Sequence, residues 1–116
     1  MLIKNYLFIS ISLLISLFYK QITFGQSDGI ISGKVIDKVT EKTVEYVSFK
    51  LFNAKDSQIV TGIYTDFEGK FLLNKITLGN YYATLTFSGY IPFEVNGVSL
   101  TATTKVLNLG TIKLEP

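Results

Sequence analysis

Beyond residue 25, apolar side chains fall at every second position in short runs, and no useful stretch shows the three-to-four spacing of an amphipathic helix. The runs are 30–36, 46–52, 59–65, 70–73, 81–88, 90–98 and 105–114. In the second, Val47, Phe49 and Leu51 share one face, opposite Ser48 and Lys50. In the fifth, Tyr81, Ala83, Leu85 and Phe87 alternate with Tyr82, Thr84, Thr86 and Ser88. Period-2 alternation rich in aromatic and β-branched residues marks half-buried strands. Seven such strands predict an all-β fold, a seven-stranded antiparallel β-sandwich in which each sheet buries its apolar face against the other. A transmembrane barrel needs strands of about 9–11 residues, usually at least eight of them, and most of these runs are too short and all together too few.

Turn residues separate the runs. Asp66 can bond its own downstream backbone and Gly69 can take positive φ, so Thr65–Lys70 reads as the turn joining the third and fourth strands. Leu78-Gly79-Asn80 leads into the fifth strand, and Gly89 predicts a bulge or sharp bend after it. Pro92 cannot donate to a ladder, so the sixth strand is expected to be an edge or to start after it. Gly110 predicts a kink inside the seventh.

The first 25 residues follow another pattern. Between Lys4 and Lys20 lies Tyr6–Tyr19, an uncharged apolar run of 14 residues. Crossing a bilayer takes roughly 20 apolar residues, whereas this length suits the core of a secretory signal. Thr23 and Gly25 have the size and spacing of a signal-peptidase site, which places cleavage after Gly25; an uncleaved anchor is the alternative. Residues 1–25 are thus expected to be a signal peptide, 26–29 a short leader and 30–116 the domain, with no transmembrane span in the mature chain. A lipoprotein is excluded, because the chain has no cysteine to carry the lipid. Removing Lys4 and Lys20 from the 11 basic residues leaves nine against nine acidic ones. A neutral domain has no electrostatic footprint for nucleic acid.

Candidate chemistry is sparse. The chain has neither cysteine nor histidine, which removes disulfides, thiolate and imidazole metal sites, and histidine-activated nucleophiles. Its glycines form no phosphate-binding motif. Carboxylates remain: Asp66 and Glu68 in one turn, and Asp37, Glu41 and Glu45 in another stretch. Paired acids can hydrolyse a glycosidic bond and loop oxygens can hold Ca²⁺, but acids two apart in a hairpin are ordinarily solvated turn residues. No catalytic residue, cofactor or metal is therefore expected. Aromatics are plentiful, and Tyr46, Phe52, Tyr64, Tyr82, Tyr90 and Phe93 are candidates for an exposed sugar-stacking surface; Tyr81 and Phe87 read as core.

Several segments in one order carry a family resemblance: Ile31–Asp37, Thr65–Phe71, Leu78–Tyr81 followed by Ala83–Tyr90, and Leu109–Ile112. Over about residues 30–115 the series resembles the carboxypeptidase regulatory-like domain, a transthyretin-like, immunoglobulin-like sandwich also classed with carbohydrate-binding-like folds. The pattern is similar to the N-terminal extension domains of TonB-dependent outer-membrane receptors and related barrel proteins, and Asn53–Ser57 adds to the likeness. The resemblance implies that Asp66 and Gly69 shape a hairpin and that Tyr81 forms a tyrosine corner with backbone near Thr77. Glu41, Thr43 and Leu78 stand where the family commonly has Gly, Pro and Pro. The chain's last residue, Pro116, lies just past the last strand, so the expectation is such a domain without plug or barrel. The implied role is a non-catalytic accessory domain at the periplasm or outer membrane of a Gram-negative bacterium, with envelope proteins as partners. The alternative is a free-standing carbohydrate-binding module with a glycan as ligand.

Overall fold

The computed structural model describes residues 28–116; the predicted signal peptide and its cleavage site lie outside the described residues. Seven strands follow in order: β1 (Asp28–Asp37), β2 (Ser48–Asn53), β3 (Ile59–Tyr64), β4 (Lys70–Thr77), β5 (Gly79–Thr86), β6 (Phe93–Leu100) and β7 (Val106–Leu114). They form two sheets, β4-β1-β7 and β3-β2-β5-β6. Among the described residues no helix is long and apolar enough to cross a membrane.

The alternation predicted for β2 and β5 is what builds the core. Val47, Phe49, Leu51, Tyr81, Ala83 and Leu85 are buried, and they meet Ile31, Val35, Phe71, Leu73, Ile112 and Leu114 from the other sheet. At the centre the rings of Phe49 and Phe71 stack with centroids 4.4 Å apart. Phe71 lies over its cross-strand partner Gly33, where an added Cβ would sit 2.5 Å from the ring. Full burial of a Phe side chain stabilises by about 2–3 kcal/mol on area grounds, so this stack is a principal joint between the sheets.

The fold departs from the expectation in its pairing. The sandwich is not wholly antiparallel: β7 pairs with β1 in parallel, from Ile30 with Val106 to Asp37 with Leu114. Period-2 alternation reports which face is buried and carries no strand direction, so the sequence does not reveal this. Boundaries shift as well. β1 begins at Asp28, inside the expected leader. β4 runs on to Thr77 rather than stopping at Leu73, because its register with β1 shifts between Leu73 and Ile76, where Lys75 adopts a φ of 56°. β6 starts after Pro92 and is an edge strand. The kink at Gly110 is present: its φ is 73°, and the extra β7 residue falls between the pairs Ser32–Asn108 and Lys34–Thr111. Phe87, expected in the core, is 37% exposed because β5 ends at Thr86 and the chain turns away.

Candidate functional site

In each carboxylate grouping one aspartate is bound to its own backbone. Asp66 Oδ1 accepts from the Glu68 and Lys70 amides, both at 2.9 Å, while Gly69 N–H donates to the Asp66 carbonyl. Gly69 has a φ of 74°, and a Cβ there would lie 2.5 Å from the Val35 carbonyl oxygen. Glu68 turns to Lys70 at 3.0 Å, and this hydrogen bond raises the lysine's pKa. Asp66 and Gly69 therefore shape the hairpin as expected, while the Glu68 carboxylate is taken up by Lys70.

Asp37 closes the loop after β1. Its Oδ1 accepts from the Val39 amide at 2.7 Å and the Thr40 amide at 2.9 Å, and its Oδ2 accepts from the Tyr90 hydroxyl at 2.8 Å. The Thr40 amide bond, then the Tyr90 hydroxyl, hold the Asp37 carboxyl below the usual carboxylate range. Glu41 and Glu45 are exposed and do not join it. Among the described residues no group of three acidic, cysteine or histidine side chains is placed to hold a metal ion. A depressed folded-state pKa means stabilisation that is complete above the unfolded value, near 3.9, and is lost as pH falls through the folded value. Asp37→Asn is thus expected to be less stable than the parent at neutral pH, with the gap narrowing in acid. Urea midpoints of both proteins at about pH 7 and about pH 2 read this; an equal gap at both pH values would count against it.

The predicted tyrosine corner is present: the buried Tyr81 hydroxyl donates to the Thr77 carbonyl, and burial raises its pKa. Tyr81→Phe is expected to cost about 1 kcal/mol, the scale of one such bond. An unchanged denaturation midpoint would remove that role.

The candidate aromatics divide into groups. Phe52 and Tyr82, cross-strand partners on β2 and β5, stack with centroids 5.1 Å apart and planes 12° from parallel. Together with Thr84, Pro92, Phe93 and Glu94 they line a shallow cleft of about 430 Å³. Tyr90 is occupied with Asp37 and packs on Phe87 at 6.1 Å. Tyr46 and Tyr64 are exposed elsewhere; Tyr64 lines a larger cleft of about 600 Å³ with Lys34, Asp66, Lys70, Asn108 and Thr111. The sequence offered Phe52, Tyr82 and Phe93 separately, and only the β2–β5–β6 neighbourhood brings them together. Thr65, in sequence only the end of a strand and the start of a turn, is buried, its hydroxyl donating to the Val44 carbonyl at 2.8 Å and accepting from the Val47 amide at 2.9 Å.

A family model, the carboxypeptidase regulatory-like domain, matches residues 30–115. The chain belongs to this family. The carboxypeptidase regulatory-like domain here has solved structures of similar fold. The major pilin subunit BcpA of Bacillus cereus superposes with a TM-score of 0.63 at 18% identity, over 77% of this chain and 30% of the pilin. The Bacillus anthracis TIE protein gives 0.59 at 14% identity, over 77% of this chain and 17% of that one. The 5-hydroxyisourate hydrolase of Klebsiella pneumoniae gives 0.55 at 14% identity, over 76% of this chain and 87% of the enzyme. At such identities the likeness is one of fold alone. This carboxypeptidase regulatory-like domain spans less than a third of the length of BcpA and of the TIE protein. No curated protein sequence matches it.

Proposed function

We propose that the chain is a non-catalytic interaction domain of the bacterial cell envelope, of the kind that accompanies TonB-dependent outer-membrane receptors. The family match over residues 30–115 carries this reading. The side chains agree with it: Asp37 and Asp66 are bound to backbone amides, Glu68 is paired with Lys70, and the chain has no histidine or cysteine to activate a nucleophile. The apolar run Tyr6–Tyr19 supplies the route out of the cytoplasm. Fractionating cells and measuring intact mass tests the location. The expected species lies in the envelope, lacks residues 1–25 or a few more or fewer, and crosslinks to an outer-membrane barrel protein. Full-length protein in the cytosol would defeat the proposal.

A second reading, carbohydrate binding, is favoured by the Phe52–Tyr82 stack, because a flat aromatic surface beside the Thr84 hydroxyl and Glu94 carboxylate offers both an apolar face and hydrogen-bonding groups to a sugar. Native electrophoresis through gels containing soluble xylan, starch or galactomannan separates the two. The interaction domain runs unretarded. A carbohydrate module is slowed by one of the polymers and released by Tyr82→Ala.

A further inference from the structure

The sandwich has four sheet edges: β3 and β6 on one sheet, β4 and β7 on the other. A bare edge displays backbone N–H and C=O groups to any further strand, and proteins blunt such edges with lysine, proline and bulges. Three edges here are blunted. β4 carries Lys70 and Lys75, with Lys75 at a break in the register. β6 follows Pro92, carries Glu94 and bulges at Asn96–Gly97, where Gly97 has a φ of 69°. β7 is preceded by Lys105, carries Lys113 and bulges at Gly110.

β3 is different. Its sequence, Ile59-Val60-Thr61-Gly62-Ile63-Tyr64, has no charge and no proline. Its one irregularity lies near its start, between Thr61 and Ile59, and from Thr61 to Tyr64 the register with β2 is unbroken. Ile59 and Tyr64 are 60% and 66% exposed, and Val60 is exposed beside them. Exposed Leu72 on the neighbouring edge of β4 extends the apolar surface across a small cleft shared with Thr61, Gly62 and Ile63.

We propose that β3 is a self-association edge: two copies of the chain pair their β3 strands antiparallel about a two-fold axis at Gly62, joining the two four-stranded sheets into one. Cross-strand partners must lie on the same face; an axis at Gly62 satisfies this within the unbroken stretch, setting Ile63 opposite the partner's Thr61, and it brings Tyr64 alongside the partner's Val60, the extra residue at the β3 irregularity, exposed as Tyr64 is. A strand that lies along β3 meets no charged β3 side chain, with Ile59, Val60 and Tyr64 exposed and the stem of Lys50 lying beside Gly62, and β3 is itself the only uncharged edge strand among the described residues. The described residues carry nine lysines and nine acidic groups, so net charge does not oppose the approach of a second copy. The inference is independent of the envelope reading, since it concerns only how the chain meets itself.

One strand pair is small beside a standard interface of about 1,600 Å², so the dimer is expected to be weak. Sedimentation equilibrium over a wide concentration range should show monomer passing to dimer on the order of hundreds of micromolar. V60K/Y64K places like charges opposite one another at both ends of the pair and should weaken the dimer by about tenfold or more. V60K/Y64E places lysine opposite glutamate across the axis and should recover much of that loss. Tyr82→Lys, on the same sheet but away from the edge, should leave dimerisation unchanged. In the parent protein, amide exchange over Gly62–Tyr64 should slow as concentration rises, which reads the contact without any substitution. The proposal is overturned by a parent protein that stays monomeric throughout, by dimerisation indifferent to V60K/Y64K, or by V60K/Y64E dimerising no better than V60K/Y64K.

Discussion

Phe49→Ala is expected to destabilise the domain by about 3–5 kcal/mol, the usual range for truncating a buried Phe. The ring is fully buried on β2 and stacks on Phe71 of the opposite sheet. Truncation removes the burial of the ring and leaves a void between two sheets whose strands are held by their own ladders, so collapse around it is incomplete. Domains of this kind have total stabilities of about 5–15 kcal/mol, and the variant should lose a large share. Urea denaturation followed by far-ultraviolet circular dichroism measures it as a lower midpoint at unchanged slope. Phe49→Leu, closer in volume, should cost far less. A loss below about 1 kcal/mol for the alanine variant would mean that the stack is not a principal joint.

Thr65→Val should cost about 2 kcal/mol, for a different reason. The two side chains have nearly the same shape, so packing changes little. What disappears is the hydroxyl that donates to the Val44 carbonyl and accepts from the Val47 amide. Those two backbone groups would then sit beside a buried methyl group, and an unsatisfied buried polar group costs more than the bond it replaces. Thr65→Ser keeps the hydroxyl and should retain more stability than Thr65→Val. If valine proves the milder change of the two, the hydroxyl bonds are not what Thr65 contributes.

How much of this was visible beforehand depended on whether the cause was local. The buried faces of β2 and β5 were legible because a strand packed on one side alternates strictly, and Val47-Ser48-Phe49-Lys50-Leu51 does so. The Asp66–Gly69 hairpin was legible because its determinants lie within a few residues, whereas the Tyr81 bond to Thr77 came from the family resemblance, the alternation marking Tyr81 only as core. The extent of β4 was not: the register break near Lys75 interrupts the alternation just where the strand continues. Tyr46, read as the start of the second strand, lies before it with a φ of 63°, a conformation that period-2 reasoning does not anticipate. The bond between Asp37 and Tyr90 joins residues 53 apart in sequence, and no local pattern announces it. Thr65 resembles any polar residue beside a turn until the loop through Val44 closes over it. The Phe52–Tyr82 cleft needed the β2–β5 register, which places two separated aromatics directly opposite each other.

The parallel pairing of β1 with β7 has a mechanical consequence. Two parallel neighbours begin at the same end of their sheet, so Asp28 at the start of β1 and Leu114 at the end of β7 lie toward opposite ends of the shared ladder. Tension applied through these two points pulls the strands along their length in opposing directions. The hydrogen bonds from Ile30–Val106 to Asp37–Leu114 are then loaded together in shear, where a hairpin pulled from its open end would unzip one bond at a time. Resistance to pulling therefore concentrates in this one ladder, and a domain stretched between these two points holds until β1 and β7 slide past each other as a unit.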